Sequence, residues 1–334
     1  MINETPSSFW AERPVLVTGC TGLLGSWLTQ ALVEAHAEVV GLIRDAVPQS
    51  HLVRSGTIRR IRVVRGDVTD YALMERVLNE YEIDAVFHLA AQTIVGIANR
   101  APLSTFESNI QGAWVTLEAA RRTPTVQRVV IASSDKAYGT QDVLPYTEDM
   151  PLQGRHPYDV SKSAADLIAQ TYAHTYQLPV AITRCANLYG GGDLNWNRLI
   201  PGTIRSALQG ERPIIRSDGA FVRDYLYVRD AVRAYLQVAE ALSDPALYGE
   251  AFNCGADDPT SVRQMTNLIL KLSPHPTLEP LILDEVRNEI KDQYLDSSKI
   301  HRMIGWAPAW TREAALRETM DWYAAYLEAQ NPAR

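Results

Sequence analysis

The sequence predicts an α/β chain built on a doubly wound parallel sheet, with a smaller α/β part after it. Three observations predict this. Six short apolar runs alternate with stretches of helical spacing over residues 1–185, and continuous apolar strands between helices mean a parallel sheet covered on both faces. A glycine-rich turn, Gly19-Cys20-Thr21-Gly22-Leu23-Leu24-Gly25, stands between the first run and the first helical stretch, in the order strand, tight turn, helix. From about residue 186 the alternation loosens into Gly190-Gly191-Gly192, Asn195-Trp196-Asn197 and proline-containing turns, which marks a change of architecture. The chain therefore divides into two parts, residues 1–185 and residues 186–334.

The strands are expected at residues 15–18, 39–43, 61–64, 85–89, 128–132 and 180–183, each short, apolar and rich in β-branched residues. Helices are expected at residues 25–35, 71–81, 103–122 and 158–176, with a last amphipathic one over residues 311–327. The first nine residues are expected to fray, with Phe9-Trp10 packing on the sheet edge.

Composition narrows the function. With 334 residues the chain can bury a large core, and 46% hydrophobic with 21% charged residues is ordinary globular composition. A net charge of −7 argues against a nucleic-acid binder, which needs a basic surface. It leaves room for a small anionic substrate held by a few arginines and helix N-termini. Cys20, Cys185 and Cys254 lack metal-ligand spacing and read as free thiols in a reducing compartment, with no metal expected. No apolar stretch approaches a membrane span and no signal-peptide core precedes the first strand, so a cytoplasmic location is expected.

Two constellations carry chemistry. Gly19, Gly22 and Gly25 let a backbone turn tightly and approach a pyrophosphate on the helix N-terminus, so a nicotinamide dinucleotide is expected there. Arg44 after the second strand can pair with a 2′-phosphate, and Asp45 can serve a 2′-hydroxyl; Arg44 tips the expectation slightly toward NADP over NAD. The second constellation is Tyr158 and Lys162. On a helix their four-residue step stacks them on one face, and an ammonium beside a phenol favours the phenolate, making Tyr158 a base near neutral pH. Upstream, Ser133-Ser134-Asp135-Lys136 leaves the fifth strand at its C-terminal end, where open α/β sheets gather their chemistry.

Together these motifs resemble the extended short-chain dehydrogenase/reductases, whose Rossmann sheet binds NAD or NADP. Within that family the Ser134-Asp135-Lys136 pattern is similar to the nucleotide-sugar 4,6-dehydratases, the CDP-glucose branch above all. The resemblance covers nearly the whole chain, including His88-Leu89-Ala90-Ala91-Gln92, Arg184-Cys185-Ala186-Asn187-Leu188-Tyr189-Gly190 and Arg223-Asp224-Tyr225-Leu226-Tyr227-Val228. It implies a tightly held cofactor touching Thr21, Leu23, Leu24, Asp67, Val68, Leu89, Ala90 and Ala91 besides the glycines, Arg44, Tyr158 and Lys162. It places a nucleotide-diphosphate sugar against Gln92, Asn187, Arg198, Arg223 and Arg287, with Arg223 clamping the pyrophosphate. Asn109 falls where the family kinks a helix.

The implied reaction begins with Tyr158 taking the C4 hydroxyl proton while hydride leaves C4. Lys136 then removes the C5 proton, Asp135 protonates the departing C6 hydroxyl, and hydride returns to C6. Gly96-Ile97-Ala98-Asn99 and Ala137-Tyr138-Gly139 depart from the CDP pattern, which leaves GDP- and UDP-sugars open. A C4 epimerase or 4-keto reductase is the alternative within enzymes, and Asp135-Lys136 speaks against it. A non-catalytic cofactor-binding regulator has no use for Ser134, Tyr158 and Lys162 together. The resemblance also implies a homodimer, in which helices 103–122 and 158–176 form a four-helix bundle with their twins.

Overall fold

A computed structural model describes residues 8–285 and 290–330. Six strands lie within two residues of their expected limits: β1 (Pro14–Thr18), β2 (Glu38–Ile43), β3 (Arg62–Arg65), β4 (Ala85–His88), β5 (Arg128–Ala132) and β6 (Val180–Cys185). They join a seventh strand, Ala251–Cys254, in one parallel sheet ordered Ala251–Cys254, β6, β5, β4, β1, β2, β3. Every residue of β4 and β6 is buried, whereas the edge strand β3 buries only Val64. Strand order reverses between β1 and β4, so a crevice opens beyond their C-terminal ends, the place where such sheets hold ligands.

The seventh strand escaped sequence reading because Ala251-Phe252-Asn253-Cys254 is only four residues long, with a polar Asn in it. Its pairing with β6 also qualifies the division at residue 185. The later residues are no separate sheet: they complete the first one and then build small sheets above its C-terminal edge. Tyr225–Tyr227 runs parallel to Asn187–Tyr189, and Val222–Arg223 lies between Thr260–Ser261 and Asp292–Gln293.

The long helix expected over residues 103–122 is interrupted. Pro102–Phe106 and Gly112–Arg122 are α-helical, and Glu107–Gln111 between them forms a wider π-type turn, a feature that recurs at functional sites. Asn109 sits in that turn, buried. Its Oδ1 accepts from the Gln92 backbone N–H at 2.7 Å, and its Nδ2 donates to the Gln92 carbonyl at 3.1 Å and to Ser161 Oγ at 2.9 Å. One amide thus ties the loop after β4 to the Pro157–Tyr176 helix. Residues 1–7 of the segment expected to fray lie outside the described residues. Ser8 and Phe9 do not fray: Ser8–Trp10 is a 3-10 turn, and fully buried Trp10 packs 5.7 Å from the Phe87 ring on β4. Burying such a side chain stabilises the fold by roughly 1.5–3 kcal/mol.

Candidate active site

The crevice is a cavity of about 1090 Å³ that runs from the glycine turn to the small sheets. Its cofactor end is shaped by backbone. Gly19 has φ +71°, and a Cβ there would lie 2.8 Å from the Ala90 nitrogen. A Cβ on Gly25 would lie 2.1 Å from the Gly19 carbonyl oxygen, so the turn closes only with glycine at both positions. The helix Leu23–Glu34 begins at Gly22 with no side-chain cap, leaving its N-terminus open to an anion. Thr18 Oγ1 accepts from the backbone N–H groups of Leu89 and Ala90 at 3.1 and 3.2 Å, which locks the β4 turn beside the β1 turn. The donor set and the crowded glycines fit a dinucleotide pyrophosphate.

At the far end of the cofactor cleft, Arg44 does not stand ready for a phosphate. Its Nε donates to Asp45 Oδ2 at 2.8 Å and its Nη1 lies 3.6 Å from Asp67 Oδ2. Two carboxylates answer the one guanidinium, so the local field is acidic.

The chemistry lies at the middle. β5 delivers the chain into a 3-10 turn, Asp135–Tyr138, capped by Ser134, whose Oγ accepts from the Lys136 backbone N–H at 3.2 Å. Ser134 Oγ donates to Asp135 Oδ1 at 3.0 Å and also hydrogen-bonds the Tyr158 phenol. Asp135 is buried, and its Oδ2 has no hydrogen-bond partner among the described residues. Lys136 Nζ donates to Gln293 Oε1. Pro157 opens the helix that carries Tyr158 and, one turn later, Lys162. Burial pushes the Tyr158 phenol up to about 12, with the Ser134 hydrogen bond pulling the other way. Burial likewise lowers the Lys162 ammonium to about 8, and its Nζ donates to the Ala132 carbonyl at 2.7 Å. The pair stands on one helix face as the spacing predicts. Desolvation disfavours the charged form of each group.

A buried ion pair fixes this helix to the sheet. Arg184 on β6 donates from Nε to Asp166 Oδ2 at 2.9 Å and from Nη2 to Asp166 Oδ1 at 3.0 Å. Its Nη1 also reaches the Tyr138 hydroxyl at 2.8 Å. The forked, two-point contact holds the strand, the turn and the Pro157–Tyr176 helix in one register.

Of the predicted site residues, Gly19, Thr21, Gly22, Leu23, Leu24, Gly25, Arg44, Asp67, Val68, Leu89, Ala90, Ala91, Gln92, Ser134, Asp135, Lys136, Tyr158, Lys162, Asn187, Arg198 and Arg223 all line this single cavity. Arg287 lies outside the described residues. Arg223 donates to the carbonyls of Val222, Lys291 and Ile290 at 2.9, 2.8 and 2.5 Å. Beside it Asp224 is buried: Oδ1 accepts from the Ala256 backbone N–H at 3.0 Å, Oδ2 has no hydrogen-bond partner among the described residues, and burial raises the carboxyl to about 7. Trp196, Arg205, Arg216 and Phe221 also line the substrate end. No motif in the sequence marks them: Trp196, Arg216 and Phe221 stand in irregular chain, and Arg205 is one polar residue of the helix Leu199–Leu208. Gln293 lies in a strand of only two residues, Asp292–Gln293, too short for a periodic signal.

The fold and the site define a class. Residues 15–255 match the NAD dependent epimerase/dehydratase family; the chain belongs to it and is an enzyme. The chain is similar, at 30% identity over 97% of its length and 94% of the relative's, to a CDP-glucose 4,6-dehydratase of Salmonella typhimurium. Among solved structures it resembles a dTDP-glucose 4,6-dehydratase of Streptomyces venezuelae with NAD bound: TM-score 0.82, 30% identity, 96% of this chain and 99% of that one. A UDP-glucose 4-epimerase of Thermotoga maritima superposes with TM-score 0.84 at 28% identity, over 94% of this chain and 100% of that one. All three cysteines are free and buried. Among the described residues, no helix is long and apolar enough to cross a membrane.

Proposed function

We propose that the enzyme is a nucleotide-sugar 4,6-dehydratase acting on a CDP-hexose, with NAD rather than NADP as its regenerated cofactor. The observation that carries this reading is the grouping of Asp135 and Lys136 beside Tyr158 in one cavity. Oxidation at C4 needs only the tyrosine and the cofactor; an added acid and base serve an elimination. NAD bound along the Gly19–Gly25 turn supplies the hydride acceptor at C4 and the hydride donor at C6.

Tyr158 takes the C4 hydroxyl proton as the C4–H bond breaks. The 4-ketone acidifies C5, from which Lys136 removes a proton, while Asp135 protonates the C6 hydroxyl and water departs. Lys136 returns its proton to C5 when C6 is reduced. This sequence leaves an extra proton on Tyr158 and a missing one on Asp135. Ser134, hydrogen-bonded to both, offers the path that resets them. The acidic surroundings of Arg44 favour a 2′-hydroxyl over a 2′-phosphate, with Asp45 as its acceptor.

The homodimer belongs to the same reading. Leu103, Trp114, Val160, Leu167 and Tyr176 are large, apolar and exposed on the two helical segments that would pair across a two-fold axis. Ala165, on the same helix as Leu167, is buried within its own chain and takes no part in that surface.

Incubation with NAD and CDP-, GDP-, UDP- or dTDP-hexoses, followed by product mass, tests the function. Loss of one water without net reduced NAD, fastest with the CDP-sugar, is the expected result. An unchanged mass with inverted C4 overturns it in favour of an epimerase.

A further inference from the structure

Lys136 carries the elimination in the function proposed above, yet a lysine is a poor choice for a precisely aimed base. Its four-carbon stem has many rotamers and its ammonium is a point charge without preferred direction. A displacement of about 1 Å in a reacting group can cost on the order of 10²-fold in rate. Something must hold it.

The geometry points to Gln293 as the positioning residue for Lys136, an amide that aims the elimination base from the far part of the chain. Gln293 is fully buried, and both ends of its amide are directed at the catalytic turn. Oε1 accepts from Lys136 Nζ, and Nε2 donates to the Asp135 backbone carbonyl at 3.0 Å. The turn and the lysine are thus fixed relative to one another by one side chain. The amide is itself well anchored: Asp292–Gln293 pairs in parallel with Val222–Arg223, and just beyond it the Tyr146 backbone donates to the Tyr294 carbonyl and accepts from the Asp296 N–H, each at 2.9 Å. A neutral acceptor also suits a group that must give up its proton. A carboxylate in the same place would bind the ammonium more tightly, and Asp159 on the catalytic helix already acts on Lys136.

This inference rests on the dehydratase reading, and its test separates the two. In single turnovers with NAD and the sugar nucleotide, Gln293→Met is expected to form reduced NAD at the wild-type rate and hold it, because C4 oxidation does not use Lys136. Final product should form about 10- to 100-fold more slowly, with KM changed by no more than about two-fold. Added to Lys136→Ala, Gln293→Met should cost nothing further, since both act through one group. Gln293→Glu keeps the size and the acceptor, so it serves if the Met variant does not fold; it too should slow elimination and spare oxidation. Equal loss of both steps, a loss that multiplies with Lys136→Ala, or no effect at all overturns the assignment. A wild-type enzyme that releases no water sinks the dehydratase reading itself, before any variant is made.

Discussion

The two ends of the cavity are built differently. At the cofactor end, function is carried by backbone and by side chains close in sequence: Gly19 closes over Ala90 across adjacent strands, and Tyr158 and Lys162 are one helical turn apart. At the substrate end, two of the groups depend on distant chain. Gln293 reaches Lys136 across 157 residues, and Arg223 is held by carbonyls 67 and 68 residues away. The cofactor end is a motif; the substrate end is an assembly. If so, damage to the Tyr158–Lys162 pair should abolish the initial oxidation, and damage to the Lys136–Gln293 pair should spare oxidation while losing the elimination.

Tyr158→Phe is the largest expected effect. It keeps the ring and removes the hydroxyl, so C4 oxidation should fall by at least ~10²-fold while NAD still binds. Near-normal turnover in rapid-mixing measurements would mean that the cofactor end does not start the reaction.

Next come Asp135→Asn and Lys136→Ala. Each should retain C4 oxidation and accumulate reduced NAD, with product formation down by roughly 10²-fold. Loss of the initial oxidation as complete as that of Tyr158→Phe would merge the two halves that the structure separates.

Much of the cofactor end was legible in the sequence because its signals are local. Glycines three apart at a strand end and a Tyr-x-x-x-Lys on a helix specify geometry without any knowledge of the rest of the fold. What a local signal cannot convey is the environment. Burial raises the Tyr158 phenol, and two carboxylates stand against the Arg44 guanidinium, neither of which the local sequence conveys. At the substrate end even position was hidden. Gln293 is one polar residue of a two-residue strand, and strand Ala251–Cys254 joins the sheet at its edge, through β6. Arg223 was found because its Arg-Asp-Tyr motif resembles a family pattern, not because its spacing carries information.

A smaller effect sharpens the contrast through pH. Asp224, behind the substrate end, has its carboxyl raised to about 7 in the fold, against about 3.9 when exposed. Between those values the folded chain holds a proton that the unfolded chain has lost, so stability falls as pH rises through this window. Asp224→Asn stays neutral and escapes that loss. Its stability relative to wild type should therefore rise by a few kcal/mol from pH 4 to pH 7 and then level off. Denaturant melts that give a pH-independent difference would show that the carboxyl is not held protonated.

Smallest on catalysis is Leu167→Glu, on an exposed face away from the cavity. Association should weaken about tenfold or more, and turnover should fall only as far as the dimer braces the Pro157–Tyr176 helix. Equilibrium sedimentation that shows an unchanged dimer, or a monomeric wild type, would remove this face as the interface.

The central claim, that one bound cofactor takes a hydride at C4 and gives it back at C6 around an elimination, is tested most directly by following that hydrogen. A sugar nucleotide carrying deuterium at C4 should yield a product one water lighter, with the deuterium in its C6 methyl group. Deuterium found at C4 of an unchanged-mass epimer, or lost to a second substrate through released NADH, would contradict the account.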